Sequence, residues 1–359
     1  MNRSSIARYR LYNQRIAGKQ FERASDIVGW LGAVQAQDFL GSLWAIGLRT
    51  TKATEADIEK AVAERTIVRT WPMRGTLHFV AAKDVRWMLE LLTPRIVAGR
   101  EQWLYKQMGL DEEVFTRSKK IFVDALQGGR QLKRTAMYEL LEGERISTAG
   151  GRGLHLLSWL AHDGFLCFGS REGKQPTFAL LEEWAPTAKA MKRDESLAEL
   201  AKRYFTSHGP ATVRDFVWWS GLTVADARAA LEMARSHLAS DTFGDQTYWL
   251  ASSLPDAKEP TAPAYLLPAF DEYTVAYKDR SAVLDPVYTR QVNSGNGILS
   301  PLIVIEGQVV GTWKREIRKD GVVITANFFE KPKKSQIRAV AEATAHYSRF
   351  IGLPAVLRH

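Results

Sequence analysis

The sequence predicts an α+β chain of paired helices and short hairpins, with a strand-rich segment near the carboxyl end. Three observations carry that prediction: apolar stripes at helical spacing that come in pairs, Gly or Ser/Thr/Asp punctuation between the members of a pair, and short extended runs after each pair. Eleven tryptophans, spread from Trp30 to Trp313, place core-forming residues throughout, so order is expected along the chain.

In the first pair, Ile27, Trp30, Leu31 and Val34 fall at i, i+3, i+4 and i+7, one stripe of a helix. Thr54 opens the second helix, with Asp57 three residues on as a reciprocal cap. Ile67-Val68 and Thr76-Leu77-His78-Phe79 read as extended runs joined through Trp71-Pro72-Met73, since Pro72 has no backbone donor and suits a connection. In the second pair, Ala136, Met137, Leu140 and Leu141 mark one helix. Gly150-Gly151-Arg152-Gly153 makes the turn, and Leu154, Leu157 and Leu160 mark the next helix. Phe165-Leu166-Cys167-Phe168 and Thr177-Phe178-Ala179-Leu180 form a hairpin with a polar tip from Gly169 to Pro176. In the third pair, Thr212 and Asp215 start a helix that Gly221 ends. Thr223 and Asp226 start its partner, with Ala227, Ala230, Leu231 and Ala234 inward, and Gln246 to Leu250 alternates as a strand.

Helix–turn–helix followed by a hairpin is the winged-helix pattern. Pro255 to Pro263, with three prolines, reads as a linker. Beyond it, Glu306-Gly307 and Asp320-Gly321 mark tight hairpins. Lys331-Pro332-Lys333-Lys334 leads into a last helix with Ile337, Val340 and Ala341 on one side. The expected architecture is therefore tandem winged-helix (helix-turn-helix) domains over 1–105, 106–190 and 191–260, then a small antiparallel β-barrel with a C-terminal helix over 261–359.

Charge and composition narrow the function. Forty-nine Lys and Arg against forty Asp and Glu give a net charge of +9, which suits a polyanionic partner. The single cysteine, Cys167, excludes a disulfide framework and a cysteine-rich metal site. Met1 to Ser5 leads into polar sequence without the apolar core of a signal peptide, and no apolar run approaches the ~20 residues that span a bilayer. A cytoplasmic protein, nucleoid-associated when on DNA, is expected. No His-Glu-x-x-His, Walker A, dinucleotide or Gly-x-Ser-x-Gly pattern occurs, so neither metal nor cofactor is expected.

Three constellations carry candidate chemistry. In Gln35-Ala36-Gln37-Asp38, continued helix would set the two amides about 200° apart, whereas an extended segment would turn both the same way, able to hold one water. In Arg74-Gly75-Thr76-Leu77-His78-Phe79, Arg74, Thr76 and His78 alternate on one strand face, a polar ladder suited to phosphate or water. Asp271-Glu272, after Leu266-Leu267-Pro268-Ala269-Phe270, offers two carboxylates; nearby Asp279-Arg280 reads as an ion-pair turn, and a structural role is favoured for all four.

Val34-Gln35-Ala36-Gln37-Asp38, Val68-Arg69-Thr70-Trp71-Pro72-Met73-Arg74-Gly75-Thr76-Leu77-His78, Leu266 to Asp271 with Asp279-Arg280, and Val310-Gly311-Thr312-Trp313-Lys314 together resemble the winged-helix DNA-binding family of the AlkZ/YcaQ crosslink-repair (alkylpurine) DNA glycosylases. The resemblance covers nearly the whole chain in the same order. It implies three tandem winged helices, a small β-barrel, double-stranded and damaged DNA as partner, and catalytic roles for Gln35 and Gln37. The middle residue of that motif, usually aliphatic or aromatic in the family, is here the small Ala36. On this reading Asp38 is an auxiliary base or electrostatic stabiliser, with a cap on the next segment as the alternative, and Arg74, Thr76, His78 and Trp71 contact DNA or support the site. The expected activity is hydrolysis by a monofunctional DNA glycosylase.

The alternative is a non-enzymatic winged-helix DNA-binding protein or regulator; a third reading, a small-molecule enzyme using Asp271 and Glu272, has no further support. The candidate recognition helices bear on the choice. They carry only Arg152 and His155 in one case, and Arg228 and Arg235 beside Asp226 and Glu232 in the other. That is too little charge for base-by-base reading, and it favours an enzyme that cradles a duplex.

Overall fold

The computed structural model describes residues 1–185, 190–253, 263–293, 295 and 299–359, without the side chains of 100 and 101. The chain is a mixed α+β protein of two compact units, 1–58 with 197–359 and 59–196. The linker expected at Pro255–Pro263 lies, but for its last residue, outside the described residues.

In the first unit, helix Ala24–Leu31 buries Ile27, Val28 and Leu31 and stops at Gly32, whose φ of 81° leaves the helical region. Val34 is therefore not on that helix, as the stripe implied, but on the extended pair Val34–Gln35. A helix not foreseen, Phe39–Gly47, comes directly after it. Its Trp44 packs edge-on to Tyr347 at 5.1 Å and against Phe350 at 5.0 Å, and the indole N–H donates to Leu266 O at 2.7 Å. Burying the indole therefore leaves no donor unmet. Thr54 and Asp57 exchange their cap bonds before helix Glu55–Ala63, which leads out of this unit.

The third helix pair forms as read. Thr212 and Asp215 cap Val213–Ser220 reciprocally, Gly221 ends it at φ 75°, and Thr223 caps Val224–Ala234, whose Ala227, Ala230, Leu231 and Ala234 are buried. The hairpin Leu238–Phe243/Gln246–Ala251 is in register, Leu238 opposite Ala251. The C-terminal sheet has the order 355–358, 322–328, 308–317, 302–305, 264–267 and curls as a half-barrel. Glu306-Gly307 makes its expected turn with both residues at positive φ. The sheet is not purely antiparallel, because Ala355–Arg358 returns from the last helix and pairs parallel to 322–328. That helix, Lys334–Ile351, buries Ala339, Val340, Ala343, Thr344, Tyr347 and Phe350, while the expected Ala341 is exposed.

In the second unit, strand Ile67–Met73 runs through Pro72, where a connection was expected. The register against Thr76–Ala81 breaks between Thr70 and Met73, and such an irregularity is where a strand tolerates a residue without N–H. The second-copy hairpin forms as read, Leu166 opposite Leu180. It joins the first at Arg69 and Phe168, giving the order 76–81, 67–73, 166–168, 177–180, 132–133. On helix Arg152–His162, Leu157 and Leu160 are buried but Leu154 is 43% exposed, so it is not a core residue.

Candidate active site

The first unit carries the amide motif. Because helix Ala24–Leu31 ends at Gly32, neither glutamine continues that helix: Gln35 lies on the short strand Val34–Gln35 and Gln37 in the bend that follows. Gln35 is buried at 8% exposure, Ala36 is fully buried and Gln37 is exposed. A small residue at 36 fits its place against the interior. The Gln35 N–H donates to Glu272 Oε1 at 3.0 Å. Two cavities of this unit lie elsewhere: about 430 Å³ beside Trp44 and His346, and about 900 Å³ between the third helix pair and its hairpin. Neither is lined by Gln35 or Gln37.

Asp38 starts helix Phe39–Gly47: its Oδ1 accepts from Gly41 N at 3.1 Å, and its Oδ2 lies 3.5 Å from the Arg315 guanidinium. A Cβ at residue 41 would run into that carboxylate, so Gly41 keeps the cap in place. Asp38 thus spends part of its hydrogen-bonding capacity on structure.

Asp271 and Glu272 are both buried, and the structure puts each to use. Asp271 takes Arg49 Nη1 and Nη2 at 2.9 and 2.7 Å in a bidentate pair and caps Tyr273 N at 2.9 Å. Arg49 also donates to Gln14 O, Gln14 Oε1 and Ala45 O. Glu272 Oε2 accepts from Trp219 Nε1 at 3.0 Å and lies 3.5 Å from His208 Nε2. Burial holds His208 below its ordinary pKa, against the opposing pull of Glu272, and so keeps the imidazole neutral. Asp279 and Arg280 do not form the expected ion-pair turn. Arg280 Nε donates to Thr274 O at 2.8 Å, and Asp279 Oδ1 accepts from Ser281 N. Both groups find nearer backbone partners.

The second unit carries the Arg-Gly-Thr-x-His motif. Arg74 and Gly75, at φ 56° and 67°, form the two-residue turn between Met73 and Thr76. Arg74 is therefore not on the strand face with Thr76 and His78, as the alternation implied. Its guanidinium nevertheless reaches His78 Nε2 at 3.2 Å. The His78 Nδ1 meets Thr76 O at 2.9 Å, and a carbonyl can only accept. Nδ1 must therefore carry the proton, which leaves Nε2 as the acceptor for Arg74. His78 is thus buried, neutral and fixed in one tautomer. Trp71 packs on Phe168 with ring centres 4.9 Å apart and is 9% exposed. Arg69, which sequence reasoning passed over, stacks its guanidinium 4.7 Å above Phe168. Burial first, and Arg171 second, lower its pKa to about 10, so it stays cationic at neutral pH.

Other sequence candidates take structural places. Arg152 donates to Met108 O, Ser147 O and Gly109 O, clamping two loops. Arg235 pairs with Glu232 at 3.1 Å, while Arg228 is exposed. Cys167 is fully buried, and desolvation pushes its thiol well above the usual range. Among the described residues no three His, Cys, Asp or Glu side chains gather as a metal site, and no helix is long and apolar enough to cross a membrane.

The family match makes the chain a DNA glycosylase, a hydrolase acting on DNA. The chain belongs to the family described as DNA glycosylase AlkZ-like, which it matches over residues 28–350, a span that includes both the amide motif and the Arg74–His78 turn. It is 28% identical over 367 residues to the Interstrand DNA cross-link repair glycosylase of Streptomyces sahachiroi, covering 96% of this chain and 95% of the relative. Its fold is similar to that of the solved Streptomyces sahachiroi DNA glycosylase AlkZ, with a TM-score of 0.81 at 24% identity over 99% of both chains.

Proposed function

We propose that the protein hydrolyses the N-glycosidic bond of N7- or N3-alkylated purines in duplex DNA, including purines joined across the two strands, with a water held by Gln35 and Gln37. The observation that carries this reading is the non-helical Gln35–Gln37 segment, ended sharply from the helix before it and presenting Gln37 to solvent. The crosslink-repair name of the relative supports the crosslinked substrate. We assign the helix pairs and hairpins to tandem winged helices over 1–105, 106–190 and 191–260, with 261–359 as the barrel-like end.

A glutamine amide is neutral: its carbonyl oxygen accepts and its NH₂ donates, which makes it a poor base but a good holder of water. An N7-alkylguanine is already cationic and needs no acid. The C1′–N9 bond breaks with its electron pair going to the base, which leaves neutral. Water adds to the oxocarbenium carbon and gives up one proton, leaving an abasic site. Positioning and electrostatics then supply most of the acceleration, which restricts the enzyme to bases that are activated leaving groups. Asp38, which accepts from Gly41 N–H and lies beside Arg315, takes the role of stabilising the oxocarbenium ion. Arg74 is the phosphate-contacting cation of the second unit, with His78 holding it, the Thr76 carbonyl fixing His78, and Trp71 supporting the strand. Phosphate neutralisation by the basic surface makes binding salt-dependent.

The test is single-turnover base release from duplex DNA carrying N7-methylguanine, and unhooking of an N7–N7 crosslinked duplex. Wild type should act on both, and Gln37→Ala should slow release about 100-fold or more with duplex affinity retained. Release undiminished in both Gln37→Ala and Gln35→Ala would remove the amide pair from the mechanism. No release from either substrate by wild type would refute the reaction.

A further inference from the structure

Glu272 is a buried carboxylate that the reaction does not use, yet it is bonded to the backbone of the candidate catalytic segment from 237 residues away. We infer that Glu272 is a positioning residue for base release: its carboxylate fixes the Gln35 peptide and so holds the Gln35–Gln37 segment in place. The inference rests on Gln35 and Gln37 being the water-holding pair.

The geometry is specific. Val34–Gln35 is only two residues of strand, set between the Gly32 turn and the Asp38 cap. Glu272 Oε1 accepts from Gln35 N at 3.0 Å while Oε2 accepts from Trp219 Nε1 at 3.0 Å, so the carboxylate bridges the segment to a fully buried indole. Trp219 is itself packed on Tyr204, ring centres 5.0 Å apart. Glu272 is held in turn from its own backbone, where its carbonyl lies 3.3 Å from Gln14 Nε2 and its neighbour Asp271 locks onto Arg49. Two acceptor oxygens facing two fixed donors demand a carboxylate. An amide there has one acceptor, and its NH₂ must oppose one of the two N–H groups. Displacing a reacting group by about 1 Å can cost about 100-fold in rate, so a peptide anchor beneath the amide pair has catalytic leverage without touching substrate.

The experiment combines amide hydrogen exchange with single-turnover release of N7-methylguanine from duplex DNA. In wild type the Gln35 amide should exchange slowly, and fast exchange would overturn the inference before any variant is made. In Glu272→Gln, exchange over 33–38 should speed up and release should slow about 10-fold, with duplex affinity within about 2-fold. Adding Trp219→Phe removes the competing donor, frees the substituted amide oxygen for Gln35 N–H, and should restore at least half of the lost rate. A purely structural role predicts the opposite, a second loss on top of the first. It also predicts that Glu272→Gln releases base no more slowly than Phe350→Leu, a core variant of the same unit serving as the stability control. Either result overturns the inference. Undiminished release in Gln35→Ala and Gln37→Ala would instead remove the water-holding pair, and the catalytic role of Glu272 with it. That failure is read from different variants, so the two remain distinguishable.

Discussion

Replacing Asp271 with alanine leaves the Arg49 guanidinium, 1% exposed, without the carboxylate that now meets two of its nitrogens at 2.7 and 2.9 Å. Breaking a buried pair by removing one partner costs about 3–5 kcal/mol, because the remaining charge stays desolvated. Loss of the cap on Tyr273 N adds to the cost, while Gln14 O, Gln14 Oε1 and Ala45 O still satisfy part of the guanidinium and reduce it. The net stays near 3–5 kcal/mol, and at roughly 2–4 °C per kcal/mol for a body of 150–250 residues the melting temperature falls about 6–20 °C. Thermal unfolding followed by circular dichroism measures this. Base release assayed below both transitions should persist in the folded fraction. The double variant Arg49→Met with Asp271→Leu should recover part of the loss, since the stranded charge is gone, but not all, since the Gln14 and Ala45 acceptors lose their donor. An Asp271→Ala protein melting within about 2 °C of wild type would refute the reasoning. A stable variant devoid of release would place Asp271 in the chemistry.

Gly209 is hemmed in by backbone: a Cβ there would lie 2.8 Å from Trp249 O and Leu250 Cα, and closer still to Phe205 O. Gly209→Ala should therefore lose about 3 kcal/mol, read as a lower urea midpoint, because main chain cannot swing aside as a side-chain tip can. The buried His208 makes stability depend on pH. Its folded pKa lies below its ordinary value of 6.5, so below pH 6.5 the unfolded chain binds the extra proton. Stability should be flat above about pH 7.5 and fall as pH drops through 6.5, with a slope approaching 1.4 kcal/mol per unit. Denaturation series at pH 7.5 and 5.5 check this, and stability rising on acidification would contradict the assigned burial.

Much of the fold was legible because its signals are local. Thr54 with Asp57, and Thr212 with Asp215, satisfy helix N–H groups three residues away, and any sequence carrying the pair at a helix start can make those bonds. Glu306-Gly307 and Gly221 supply positive φ where a turn or helix end needs it. Helix Phe39–Gly47 escaped notice for an equally physical reason. Residues 41–47 are all buried, so no polar face alternates with the apolar one and there is no stripe to read. On the last helix the apolar spacing was present, but Ala341 and Ala343 are chemically the same, and only packing distinguishes them.

The amide motif divides in the same way. From its sequence the protein has two glutamines two residues apart, an aspartate directly after them, and an arginine four residues ahead of a histidine. Those residues, with the family pattern they resemble, were enough to mark the candidate site. Local chain chemistry could not choose between continued helix and extended segment for Gln35-Ala36-Gln37; the Gly32 break ends the helix and leaves Gln35 on a two-residue strand with Gln37 in a bend. Nor could it join Glu272 to Gln35, Asp271 to Arg49, or Trp219 to Glu272, since hydrogen bonds between residues 53 to 237 apart leave no periodicity to find. Local composition decides which backbone conformations are cheap, whereas the pairing of buried donors and acceptors is decided only when distant segments exclude water together.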